Sequence, residues 1–496
     1  AYMATKTKII SRSTDSLALE NGTTFQVLGR TAIWDKHCVR RETALRWRTI
    51  GDPLCDAAIQ ELFPDRVYSG ADLLQRLKSS TGSSHRSEDS TTSSSVQQFW
   101  DAIHEHPPMN IRASREQVEV ARSFFIDHSV QIMQALLYYS LAGGFASPRI
   151  VRTLDKVSYL IPPNITEQEA SQNSKDRTFK RLLETFQFVL EVMRCVVPFP
   201  EQQGSGYLLP GGDGWKSIIR VRMLHGVART RVRAHPHYQA SRGSPINQED
   251  MNATLASFCI VPLWSLRQLG LKASRQQEEA FLAVWRHVGF YLGVDPASLD
   301  EHFSNTVIAD QYLLSATIHL FLDDEELEDQ TFMPPTLQLL EAVTDRFANV
   351  TLEYNCAMAR LLLGPELSTY LGIPSTSWQM GIRLREWLFL QAYPVLFSRS
   401  YGRFLRPGWL EKRRYVYAVG MAMTIRRTLG MRRTKYRPVQ GEVGQIVWED
   451  ESVPPDYATG RLLGRRWKQM LAEMVGVTVG SGIAITGLVC WWMGVL

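Results

Sequence analysis

From residue 34 to residue 393, apolar side chains recur every three to four positions, and almost no segment alternates apolar with polar residues. That period places the apolar groups on one face of a helix and would scatter them over both faces of a strand. The chain is therefore expected to be all-α, a single large multi-helix domain. With 496 residues, 44 % of them hydrophobic and 21 % charged, it can bury a sizeable core.

Local signals divide the chain. Gly51-Asp52-Pro53 reads as a turn with Asp52 as N-cap and Pro53 at the first helical position. Further helices are expected over residues 114–141, 148–160, 176–197 and 216–233, with Asp213 capping the last. Ser244 or Asn247 is expected to cap the helix that follows. Residues 1–30 read as a polar lead-in to a domain spanning 31–437. Within that domain, residues 79–96 are low in complexity and hold too few apolar groups to offset the entropy of ordering, so they read as a disordered insertion. Residues 438–470 read as a polar linker.

The six cysteines are scattered singly without a CxxC pair, which argues against a disulfide framework or a zinc ribbon and fits a reducing compartment. Residues 474–496, MVGVTVGSGIAITGLVCWWMGVL, carry no charge. A bilayer core about 30 Å thick needs about 20 apolar residues, so this tail reads as a single-pass C-terminal transmembrane helix rather than a core helix. Arg461, Arg465, Arg466 and Lys468 flank it, which places the globular part in the cytosol. Residues 403–437 are rich in Arg and Lys. Beside such a tail, that stretch reads as a membrane-surface face. A solvated helix face competes with this reading, and a nucleic-acid partner is not expected.

The chemistry centres on His225. Ile218, Val221, Ala228 and Val232 stand at −7, −4, +3 and +7 from it, so it lies inside an apolar stripe. Gly226 and Ala228 are small enough for a flat macrocycle to come close, and Arg222 and Arg229 stand at −3 and +4, placed to meet carboxylates. Haem iron is commonly held by one proximal histidine. A satisfied core histidine fits the same spacing. His287 reads as core packing or a pocket wall. The pairs His104 with His106 and His235 with His237 lack a third ligand at metal spacing.

Six segments occur in order: GDPLCDAAIQELF, RLLET, IIRVRMLHGVARTRVR, SPINQEDMNATLASF, AVWRHVGFYLGV and LLLGPELSTYLGIP. Together they resemble the family that joins the latex-clearing rubber oxygenases to the ER-bound oxygenase of mycophenolic acid biosynthesis. The resemblance covers residues 34–395 in patches. It implies an all-helical fold around a buried haem pocket, with haem b held through its iron by His225; Arg222 and Arg229, by their spacing, are expected beside it. It also implies oxidative cleavage of an isoprenoid C=C bond by dioxygen. The family's distal Arg-x-x-Lys-Thr pattern stands here as Arg181-Leu182-Leu183-Glu184-Thr185. Arg181, Thr185 and Glu184 are thus the catalytic candidates. Because the pattern's lysine is Glu184 here, a lysine-capped resting state is not expected. The family's separate catalytic glutamate has no matched position; Glu167 and Glu169 lie in a segment of unfixed register.

The resulting expectation is an oxygenase at the endoplasmic reticulum membrane acting on a lipophilic isoprenoid or polyketide intermediate. The alternative is a non-catalytic, membrane-tethered helical protein that binds a lipid or a partner and carries no chromophore.

Overall fold

The computed structural model describes residues 7–68, 70–83, 94–157, 168–195, 204–328, 332–346, 350–438, 451–452 and 457–492. Part of the low-complexity insertion, residues 84–93, and Glu167 lie outside them. The fold is all-α, with 72 % of the chain helical.

From Lys8 onward the lead-in forms secondary structure. Strands β1 (Lys8–Ile10), β2 (Thr24–Val27) and β3 (Arg30–Ile33) form a small sheet. β1 runs parallel to β2, and β2 runs antiparallel to β3 with Val27 opposite Arg30. The two-residue turn between them holds Leu28 at φ 46° and Gly29 at φ 82°. Two consecutive positive φ values are what a tight hairpin turn needs to match strand twist. Alternate side chains of β2, Phe25 and Val27, are buried against Ile318 and Leu322. The sequence showed little apolar signal here because only one short face is buried.

The helices follow in order: α1 (Arg41–Arg48), α2 (Pro53–Leu62), α3 (Leu73–Ser83), α4 (Ser95–His104), α5 (Arg115–Asp127), α6 (Ser129–Ala135) and α7 (Ala142–Gly144). Next come α8 (Pro148–Val157), α9 (Gln168–Val192), α10 (Asp213–Arg233), α11 (Gln248–Gln268), α12 (Arg275–Leu292), α13 (Pro296–His302) and α14 (Thr306–Phe321). The chain closes with α15 (Asp324–Leu327), α16 (Thr336–Ala342), α17 (Leu352–Leu363), α18 (Pro365–Tyr370), α19 (Trp378–Phe397), α20 (Pro407–Thr428) and α21 (Tyr457–Trp492). The Asp52 side chain accepts from the Cys55 N–H at 3.2 Å, starting α2 as expected. Asn247, not Ser244, caps α11 and forms a capping box with Asp250. The cap residue of α10 is Gly212, with Asp213 one position inside. The helix expected over 114–141 breaks at His128 and changes to a π-turn at Leu136–Leu141.

Two central helices organise the domain. α10 packs against α2, α3, α8, α9 and α12, while α11 packs against α1, α6, α12 and α14. The α2–α10 contact is close because Gly226 has no side chain: a Cβ there would lie 2.9 Å from Cys55 Sγ and 3.1 Å from Ile59 Cγ1. Around this contact, Arg222 makes a two-pronged pair with Asp52 at 2.7 and 3.0 Å. Asp56 receives Arg229 at 2.6 Å and Arg233 at 2.8 Å.

At the C-terminal end, α20 packs on α21 around Phe397, Trp409, Val416 and Met470. α21 begins at Tyr457, so the second half of the expected linker is helical. The basic stretch 403–437 is not one continuous face. Arg413 and Arg414 both pair with Asp127, and Arg433 pairs with Glu191, so these charges serve the protein interior.

Asp56→Ala removes the carboxylate that receives fully buried Arg229 and leaves a desolvated charge behind. Loss of one partner of a buried pair typically costs about 3–5 kcal/mol, so urea unfolding of this variant is expected to show a destabilisation of that order.

Candidate functional site

The helices enclose a cavity of about 480 Å³ whose wall is mostly apolar. Three helices, α9, α10 and α11, supply most of the charged groups in that wall.

α10 contributes one stripe: Val221, Leu224, Ala228 and Arg231 at helical spacing, with His225 beside them. His225 Nδ1 is buried and has no hydrogen-bond partner. Burial first, and then the neighbouring Arg229 guanidinium, push the His225 pKa down to about 4, while Asp52 opposes the shift. The imidazole is thus neutral at physiological pH, the form that can ligate a metal.

Arg222 and Arg229 sit on the side of α10 that faces α2. Neither lines the cavity. Both are committed to Asp52 and Asp56 instead of pointing toward a ligand beside His225. Gly226 likewise serves the contact with α2, while Ala228 faces the cavity. The α10 arginine that faces the cavity is Arg231, six residues after His225, whose guanidinium also lies 5.5 Å from the Tyr68 ring centroid.

α9 brings Arg181, Glu184 and Thr185 to the same wall. Arg181 and Glu184 form an ion pair one turn apart. Thr185 Oγ1 donates to the Arg181 carbonyl at 3.1 Å, which fixes its rotamer. The structure therefore brings His225, Arg181, Glu184 and Thr185 around one space.

The third element is α11, whose cavity-facing positions 250, 253, 254, 257, 258, 261 and 264 form one helical stripe. Its first member is a carboxylate. Asp250 Oδ2 accepts from the Asn247 N–H at 3.4 Å, but Oδ1 is buried without a partner. Burial is the largest influence on Asp250 and raises its pKa to about 6; Arg149 opposes this and Glu249 adds to it. In the sequence, Asp250 reads as a capping-box residue, which it also is. Only its helical spacing to Ala253, Val261 and Trp264 signals that it heads a wall.

The hairpin of the lead-in was missed altogether. Val27, Leu28 and Arg30 close part of the cavity, with Arg30 lying 4.4 Å from the Trp264 ring centroid and 5.0 Å from that of Tyr139. His287, by contrast, is a satisfied core residue. Its Nδ1 accepts from Ala113 N–H at 3.2 Å and its Nε2 donates to the Leu208 carbonyl at 3.1 Å.

Among the described residues no three His, Cys, Asp or Glu side chains group as a metal-ion cage. A haem needs only one protein ligand, because the macrocycle supplies the four in-plane nitrogens. The neutral, unpartnered imidazole in an apolar cavity of this size fits that requirement.

Comparison with known proteins matches residues 130–396 to the family described as ER-bound oxygenase mpaB/B'/Rubber oxygenase, catalytic domain. A rubber oxygenase of Streptomyces sp. (strain K30) is 24 % identical over 201 residues, covering 38 % of this chain and 47 % of that protein. The chain thus spans about half the length of that curated relative. The solved structure of latex clearing protein in its closed state aligns with a TM-score of 0.48 at 17 % identity, covering 75 % of this chain and 91 % of that one.

Asp250 offers a direct test of the site's electrostatics. A carboxyl whose folded-state pKa is raised from 3.8 to about 6 binds more protons when folded, so it costs stability above pH 6. That cost, on the order of 2–3 kcal/mol at pH 7, is relieved as pH falls toward 4. Asp250→Asn keeps the cap acceptor and removes the charge. Its stability relative to the parent, from urea midpoints, is expected to be greatest at pH 7 and to shrink steadily between pH 6 and pH 4.

Proposed function

Because this chain belongs to the ER-bound oxygenase/rubber oxygenase catalytic-domain family, we propose that it is a haem-dependent oxygenase acting on a lipophilic isoprenoid or polyketide intermediate. The observation that carries this reading is His225: a neutral imidazole with an unpartnered Nδ1 in the wall of a large apolar cavity. His225 would be the single protein ligand of haem b. Arg231, rather than Arg222 or Arg229, is the α10 arginine placed to meet its carboxylates. Arg222 and Arg229 would act as positioning residues, holding the helix that presents His225. When bound, the haem would supply the redox chemistry that lets dioxygen react.

The proposed reaction is oxidative cleavage of a double bond: one C=C and one O₂ give two carbonyl groups, with no outside reductant. The apolar wall suits a hydrocarbon chain and excludes water from it. Arg181 offers a guanidinium to an oxygen that gains charge, and Glu184 holds that guanidinium in place. Thr185 gives the same region a small polar surface. Asp250 Oδ1 can accept a proton above about pH 6 and hold one below it.

The apolar tail supports attachment to a membrane. The helix from Tyr457 to Gly487 is long and apolar enough to cross a bilayer, and only 6 % of its most apolar window is buried in the protein. We place the globular part on the cytosolic side of the endoplasmic reticulum membrane, following the basic residues that precede the tail.

Purified full-length protein supplied with haem is expected to show a Soret band that is lost or strongly shifted in His225→Ala, with the far-ultraviolet circular dichroism unchanged. Oxygen uptake with a polyisoprenoid substrate should fall at least about a hundredfold in the same variant, consistent with the loss of a group on which the chemistry depends. A protein that binds lipid but shows no Soret band would favour the non-catalytic lipid-binding alternative.

A further inference from the structure

α19 is apolar on two opposite faces. Met380, Leu384, Val395 and Phe397 turn inward and are buried. On the other side, Trp378, Ile382, Phe389, Leu390 and Leu396 are exposed, with Phe389 and Leu390 each 61 % exposed. A helix bordered by water keeps its outer face polar, and a contiguous apolar patch marks a surface that something covers. The patch continues through the π-turn at Ser398–Leu405, where Phe404 and Leu405 are 74 % and 76 % exposed between Arg403 and Arg406.

The neighbour of this patch is α21. Tyr393, on the same outer face of α19, hydrogen-bonds Thr478. Tyr401 donates to Glu473 at 2.8 Å, and Arg406 pairs with the same carboxylate. Glu473 is the last charged residue of α21, and beyond it Val475, Val479, Ile483 and Ile485 are exposed. The outer face of α19 and the apolar length of α21 therefore meet along one short line of polar groups.

We propose that α19 and the Phe404-Leu405 tip form a bilayer-docking surface that seats the catalytic domain on anionic lipid beside its own anchor. This rests on the reading of α21 as that anchor. Exposed Arg383, Arg385 and Glu386 limit the depth of α19 to the headgroup region, because charged groups are strongly disfavoured in the hydrocarbon. Trp378 and Trp387 have the amphipathic rings that favour that depth. Arg403 and the exposed Arg461, Arg465 and Lys468 give the surrounding surface the charge that attracts anionic headgroups. The same charges oppose a second copy of the chain as the cover, since pairing two such faces brings arginines together.

The test uses full-length protein carrying Cys490→Ser, with a nitroxide attached at Leu390→Cys or Phe404→Cys. Met109→Cys, on a side chain 95 % exposed before α5, is the aqueous reference. Collisional access to oxygen relative to a nickel chelate is read in detergent and in vesicles of phosphatidylcholine with phosphatidylserine. The expected result is a severalfold rise in that ratio at positions 390 and 404 in vesicles and none at 109. Protein retained by vesicles with 390 and 404 as aqueous as 109 would overturn the docking surface while leaving the anchor intact. Protein not retained at all would overturn both. Spin–spin broadening at 390 in detergent that persists in vesicles would overturn the proposal in favour of a second copy.

Discussion

The arrangement depends on the ion cluster between α2 and α10. Asp52 and Asp56, one turn apart, receive Arg222 and Arg229 in the interior and Arg233 at its rim. Burying such charges costs several kcal/mol each, and only near-complete pairing offsets the cost. The pairing is also directional. A two-pronged guanidinium–carboxylate contact admits one rotation of the helix, and Gly226 lets the two backbones approach closely enough to make it. With the arginines fixed toward α2, Leu224, Ala228 and Arg231 must face the cavity, and His225 is carried to its edge.

That constraint joins structure to chemistry. Arg229 holds α10 against α2 and, from the same position, helps keep His225 neutral. Protein interiors are close-packed, so a cavity of about 480 Å³ amid well-packed helices implies an occupant. The groups that break its apolar wall come from separate elements: His225 and Arg231 from α10, the Arg181–Glu184–Thr185 turn from α9, Asp250 from α11 and Arg30 from the hairpin. An elongated apolar substrate would meet polar groups at a few points and hydrocarbon elsewhere. α19 and α21 expose apolar surface of the kind a bilayer would cover.

Much of this was legible in the residues. Helical period announced the fold class, and Gly-Asp-Pro announced the start of α2, because both are local signals. The apolar stripe around His225 fitted a core histidine as well as a ligand; the family resemblance singled it out, and Arg181, Glu184 and Thr185 with it. Arg222 and Arg229 were misread for a physical reason: sequence spacing shows that a residue flanks a stripe but not which neighbour lies on that flank. Their partners are some 170 positions away on α2. The basic stretch 403–437 is only partly a surface face, since Asp127 and Glu191 take three of its arginines from distant helices. The hairpin of the lead-in escaped notice because four-residue strands with one buried face carry too little pattern to register.

The sequence by itself determined the helical class, the start of α2 and the uncharged tail, because each follows from signals within a few residues along the chain. The tertiary structure alone decided which face of α10 looks into the cavity, that Asp250 heads the wall of α11, and that Arg231 rather than Arg222 or Arg229 lines the cavity. Those outcomes turn on pairings between remote segments, where burial decides both the partner of a charge and its cost.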